Sequence, residues 1–310
     1  MLPIPRDSAA LTQATLSRIE ADSASKAKEL VERLGTLRTI YVAFAGSFYA
    51  QASAHLLYWI LRQLTDHNVY IDPIEAVIYH TLAYHEESPL IVLFAEPGTE
   101  NIVARAADAA RLTGARLVAV TPPLPGIIAK HVGRDSLVEV ASQRPSLHYL
   151  LIAAKTAASL ADKLSSIKVR VKRLIDEVSN ISAIYESLID AYKDTIESIR
   201  ELIGRGELDV YASTTMLPAA YILAGYQKNT RIYPLSSLLV HLSTRALGPQ
   251  ILAMLTDVEE DVMREVRFKK SMYMNEEARV IELVMHTDPL TAPIYGSIII
   301  EKVVDATRRG

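Results

Sequence analysis

Short apolar runs alternate with longer amphipathic stretches along most of this chain, and that alternation predicts parallel strands covered by helices. Ile19, Ala27, Leu30, Val31 and Leu34 recur at helical spacing near the start. The β-branched and aromatic run at residues 39–44 then reads as a buried strand that ends at Gly46, and a helix follows to residue 64. Further short strands are predicted at residues 69–71, 89–94 and 116–120, with helical stretches between them. A helix between neighbouring parallel strands supplies the right-handed crossover, so this part of the chain reads as doubly wound.

Residues 146–205 break the alternation. Lys163, Lys168, Lys172, Asp176 and Glu177 mark a helical stretch with charges on one side, and Gly and Pro almost vanish from it. Strands return at residues 208–212, 231–233, 251–256 and 279–286, with helices near 216–227 and 258–270. The expected fold is therefore α/β, with two doubly wound parallel-sheet domains of flavodoxin-like type joined by long helices. Residues 1–145 hold an N-terminal helix and the first domain, residues 146–206 a helical connector, and residues 207–310 the second domain. A chain of 310 residues, half of them hydrophobic, is large enough for two cores.

Charge and composition narrow the partners. Lys plus Arg total 33 against 36 Asp plus Glu, so no positive field is available to hold nucleic acid or an anionic membrane surface. The chain has no cysteine, which removes disulfides, thiolate metal sites and cysteine nucleophiles, and suits a reducing cytosol. Pro3, Pro5, Arg6 and Asp7 interrupt the first ten residues, so no signal-peptide core is expected there. Apolar stretches at 147–160 and 296–300 are interrupted by Lys155 or ended by Glu301, short of the ~20 residues a membrane span needs. A cytoplasmic protein without nucleic-acid or membrane partners is expected, and no cofactor is implied.

Two turns carry candidate chemistry. Ala45-Gly46-Ser47-Phe48-Tyr49 lies where a strand passes into a helix, a place where free amides and the helix dipole attract anions. Phe94-Ala95-Glu96-Pro97-Gly98-Thr99-Glu100-Asn101 forms a second such turn, and both should open at the carboxyl edge of one sheet. Each reads equally as a plain connection with a helix cap.

In their order, these segments resemble the sugar isomerase (SIS) family, especially the isomerase half of glucosamine-6-phosphate synthase and the archaeal phosphoglucose and phosphomannose isomerases. The first turn is similar to that synthase's Cys-Gly-Thr-Ser-Tyr, and Glu139-Val140-Ala141-Ser142-Gln143-Arg144 is similar to its Val-Ala-Ser-Thr-Lys stretch. The resemblance implies a phosphosugar or related anion bound between the halves, commonly in a homodimer, with Gly46, Ser47, Gly98, Thr99 and Ser142 as the residues that would hold it. It also implies aldose–ketose isomerisation, with His241 near the position of the ring-opening histidine. Where the family carries its basic glutamate, this chain offers Gly225 or Asn229, neither of which can accept a proton. Glu139, beside Ser142, is the remaining candidate for that transfer.

The departures favour a second expectation, a sugar-phosphate sensor or scaffold that kept the fold and lost the chemistry. Phe48 replaces a serine, and Ala95 and Pro97 replace both serines of the family's second loop. Each missing hydroxyl removes a hydrogen bond of about 1.5 to 3 kcal/mol to a charged group. Glu96 and Glu100 would repel a phosphate dianion. A lone histidine in an apolar run is more often a satisfied core residue, and that is the other reading of His241. His80 and His85 are five residues apart and would not share a helix face, so no metal site is expected from them and the adjacent Glu86 and Glu87.

Overall fold

The computed structural model describes residues 10–34, 39–84, 88–204, 206–227, 229–244, 250–273 and 279–309. His85, Glu86, Glu87 and Lys228, named or spanned by the readings above, lie outside the described residues. The chain divides into two compact units, Leu16–Ser182, and Ala183–Gly310 together with the chain up to Thr15.

The first unit opens within α1 (Gln13–Leu34), whose Leu16, Ile19, Ala27, Leu30 and Val31 form a buried stripe. Then come β1 (Thr39–Ala45), α2 (Tyr49–Leu64), β2 (Asn68–Pro73) and the short α3 (Ile74–Ala76), which continues through wider and tighter helical turns to Tyr84. β3 (Leu90–Ala95), α4 (Glu100–Thr113), β4 (Arg116–Thr121), α5 (Gly126–Val132), β5 (Leu137–Glu139), α6 (Pro145–Leu164) and α7 (Lys168–Ser179) complete it. The strands form one parallel sheet in the order β2-β1-β3-β4-β5. β3 is buried at all of its positions, because helices cover both faces of the sheet, and this is why its sequence is an unbroken apolar run. β5 has three residues, too few to show a period, and the sequence pattern does not reveal it.

Winding reverses between β1 and β3, where Ala45 lies opposite Ala95. The loops after these two strands therefore open side by side at the carboxyl edge, the usual ligand position in such sheets. On one face α6 packs against α2, and its buried Ala153, Ala154, Ala157 and Ala161 allow close approach. Buried Glu20 of α1 accepts the amides of Ile181 and Ser182, each at 3.0 Å, and lies 3.4 Å from Lys155 Nζ. The end of the unit is thereby fastened to its first helix.

The second unit contains α8 (Tyr185–Ala191), α9 (Lys193–Ile203), β6 (Leu208–Ala212), α10 (Leu217–Tyr226), β7 (Thr230–Pro234) and α11 (Leu235–Thr244). It continues with β8 (Gln250–Thr256), α12 (Glu260–Tyr273), β9 (Arg279–Met285) and α13 (Ala292–Arg309). Its parallel sheet runs β7-β6-β8-β9, which repeats the order of the first four strands of the other sheet. Tyr211, Leu238, Ile251, Leu255, Met263 and Val266 fill the layer between this sheet and α11 and α12. Among the described residues no helix is long and apolar enough to cross a membrane.

Candidate functional site

In the first unit the reversal point is built around one acidic side chain. Gly46 leaves β1 with φ +120°, a conformation that a residue with a Cβ rarely adopts, and this turns the following amides inward. A Cβ on Gly46 would lie 2.5 Å from the carboxyl carbon of Glu96, so only glycine leaves room for that side chain. Phe48, the residue that caps α2, has no side-chain acceptor to offer the first turn of the helix. Glu96, from the loop after β3, supplies one. Its Oε1 accepts the Phe48 amide at 3.0 Å and the Ala50 amide at 2.9 Å, and the amides of Ser47 and Tyr49 also bond to this carboxyl group.

Glu96 is only 5% exposed. Burial pushes its carboxyl above the usual carboxylate range, while the surrounding amides pull it back. The ring of Tyr49 meets that of Tyr149 edge-on at 4.9 Å, and Tyr149 donates to the Ala95 carbonyl at 3.1 Å, so aromatic rings pack beside the carboxylate. Burial pushes both phenols up, reinforced at Tyr49 by the charge of Glu96 and at Tyr149 first by Tyr49 and then by Glu96. The geometry is that of an anion cradle whose anion belongs to the chain itself. A negative group at a helix N-terminus is favoured by the dipole, and several amide bonds offset the cost of taking a carboxylate out of water. Sequence reasoning treated Glu96 as an obstacle to phosphate and missed that it occupies the cradle. The available signal was an acid directly after the reversal-point strand, opposite a turn whose capping residue has no acceptor.

Of the residues expected to hold a ligand, Gly46, Ser47, Gly98 and Thr99 gather around these two loops. Ser47 is exposed. The Gly98 amide bonds Glu100 Oε1 at 2.9 Å, and the Thr99 hydroxyl donates to the Glu96 carbonyl at 2.6 Å, so this hydroxyl braces its own loop. Glu139 ends β5 at the far edge of the same sheet, and Ser142 lies three residues beyond it. Ser142 Oγ accepts the Arg144 amide at 3.1 Å in the turn that leads to α6, and Glu139 accepts the Leu124 amide at 3.3 Å.

His241 belongs to the second unit. Its Nδ1 lies 2.6 Å from the Tyr211 hydroxyl, and its ring meets those of Tyr211 and Tyr233 edge-on at 5.6 and 5.2 Å. The two tyrosines stack on each other, and burial pushes the Tyr211 phenol up to about 12. Of the two residues at the place of the family's glutamate, Gly225 lies inside α10, and Asn229 takes the left-handed φ of 63° in the turn before β7.

A cavity of about 510 Å³ opens at the carboxyl ends of β6 and β7. Ser213, Thr214, Tyr221, Tyr233, Ser236 and Glu259 supply its polar lining, and Leu217, Ile232, Leu235 and Val262 much of its apolar wall. His241 is not part of that wall, although it touches Tyr233, which is. The amides of Met216 and Leu217 fold back onto the Ser213 carbonyl at 2.9 and 3.1 Å. Glu259 turns away to cap its own strand end, where Oε2 accepts the Thr256 amide at 2.8 Å and the Thr256 hydroxyl at 2.6 Å.

No family model matches the sequence, and no curated protein matches it. Solved structures do match. A candidate phosphosugar isomerase from Bacillus subtilis superposes with a TM-score of 0.69 at 13% identity, over 94% of each chain. The C-terminal domain of glucosamine-fructose-6-phosphate aminotransferase from Francisella tularensis matches with a TM-score of 0.65 at 15% identity, over 96% of this chain and 92% of the other. Glucosamine-6-phosphate deaminase from Thermotoga maritima gives 0.65 at 14% identity, over 95% of this chain and 92% of the other. The arrangement of two reversal-point sheets derived above is thus the fold that this chain shares with these solved structures.

Proposed function

We propose that this protein binds a carbohydrate derivative without interconverting hexose phosphates, and so acts as a sugar sensor or scaffold. The single observation that carries the reading is the Glu96 carboxylate bonded to the first amides of α2. A phosphate arriving at that turn meets a negative charge already holding the donors it would need, and repulsion between anions in a poorly solvated site is strong. The binding half of the proposal draws on the shared fold and on a cavity within the ordinary size range of small-molecule sites. The absence of turnover is supported by Gly225 and Asn229, neither of which can act as a base, and by the distribution of the candidate catalytic groups. Glu139 lies at a sheet edge bonded to a neighbouring loop, and His241 is enclosed by two tyrosines.

A thermal-shift panel of sugars and sugar phosphates, run beside an assay of hexose phosphate interconversion, tests the reading. Stabilisation by at least one carbohydrate with no turnover is expected. Turnover that disappears in His241→Ala would overturn it in favour of an isomerase.

A further inference from the structure

The cavity of the second unit narrows the ligand class, on the premise that the protein binds a carbohydrate at all. We infer that this cavity accepts an uncharged, hydroxyl-bearing ring of monosaccharide size in preference to a sugar phosphate. Its position fits a ligand site, because the lining comes from the segments after β6, β7 and β8 at the carboxyl edge of the sheet. Its chemistry fits a polyol. Hydroxyls of Thr214, Ser236, Tyr221 and Tyr233 can each donate and accept, as a ring of alternating hydroxyls requires, while Leu217 and Leu235 offer an apolar face to its C–H edges.

Three features disfavour a phosphate. Among the described residues no lysine, arginine or histidine contributes to the lining, and the one charged residue that does is the acid Glu259. The Met216 and Leu217 amides at the start of α10 are already bonded to Ser213. Glu259, although its carboxylate is engaged by Thr256, keeps a negative charge at the wall with no counter-charge among the lining groups. An uncharged ring meets none of these obstacles.

Calorimetric titration of the full chain with neutral hexoses and pentoses, with their phosphate esters and with inorganic phosphate tests the inference. At least one neutral sugar should bind ten-fold or more tightly than its own ester. Leu217→Trp, which fills the cavity, should weaken that binding at least ten-fold. Thr214→Val, a change at an exposed position, should weaken it several-fold and serves if the tryptophan variant fails to fold by circular dichroism. An ester that binds more tightly than its parent sugar overturns the inference, as does wild-type affinity in both variants. Binding of esters alone, unaffected by either variant, removes this inference but leaves the proposed function standing. No binding by any sugar or ester removes both.

Discussion

The two units place an acid after equivalent strands and use it differently. Both sheets reverse their winding at the second and third strands in line, and an acid that caps follows the reversal strand in each, Glu96 directly after β3 and Glu259 three residues past the end of β8. In the first unit the acid crosses to the neighbouring turn and satisfies the start of α2. In the second it folds back on Thr256, while Ser213 satisfies the start of α10 from within its own turn. The comparison teaches that the fold creates a demand for acceptors at these helix starts and leaves the sequence to choose the source. A local serine leaves space beside it, whereas a side chain from the neighbouring loop fills the space.

The sharpest way to break the comparison is to remove each acid. Glu96→Ala strands several buried amides and should cost about 3 kcal/mol in urea unfolding. Inorganic phosphate should then raise the melting temperature of this variant and leave wild type unmoved, and a variant indifferent to phosphate would show that the carboxylate does not fill an anion cradle. Acid sensitivity should be of similar size. His55 on α2 is largely buried, and burial pushes its pKa down to about 4. The folded state keeps it neutral while the unfolded chain takes up a proton near pH 6.5, so its contribution is present above that pH and is lost as pH falls towards 4. Roughly 3 kcal/mol should disappear across the window, and His55→Leu should flatten that part of the pH profile. The raised carboxyl of Glu96 works in the opposite sense, since its stabilising share is lost as pH rises through its folded pKa.

Glu259→Ala removes only a strand-end cap and should cost about 1 kcal/mol, well below the loss at Glu96. Equal losses for the two acids would erase the distinction between the units. The smallest effect is expected at His241. His241→Phe keeps the aromatic packing and gives up one hydrogen bond to Tyr211, a loss of about 0.5 to 1 kcal/mol. A much larger loss would mean that the bond, more than the ring, secures this part of the core.

The repeated strand-and-helix order was legible because runs such as Leu90–Ala95 are buried on both faces and cannot carry polar residues. The loops after β1 and β3 were legible as a pair because the alternation places them at one edge. What filled them was not. Glu96 and Phe48 stand 48 residues apart, and only the pairing of β1 with β3 brings them together. His241 was ambiguous for a related reason, since one histidine in an apolar helix looks the same from sequence whether it faces a ligand or the ring of Tyr211. The second-unit cavity went unread because its lining comes from three separate turns, none of which carries a signature alone.

The grip of Glu20 on the amides of Ile181 and Ser182 has a consequence for how this protein is put together. It brings both ends of Leu16–Ser182 to one doorway, the geometry that lets a module be spliced into a host chain or re-cut with new termini.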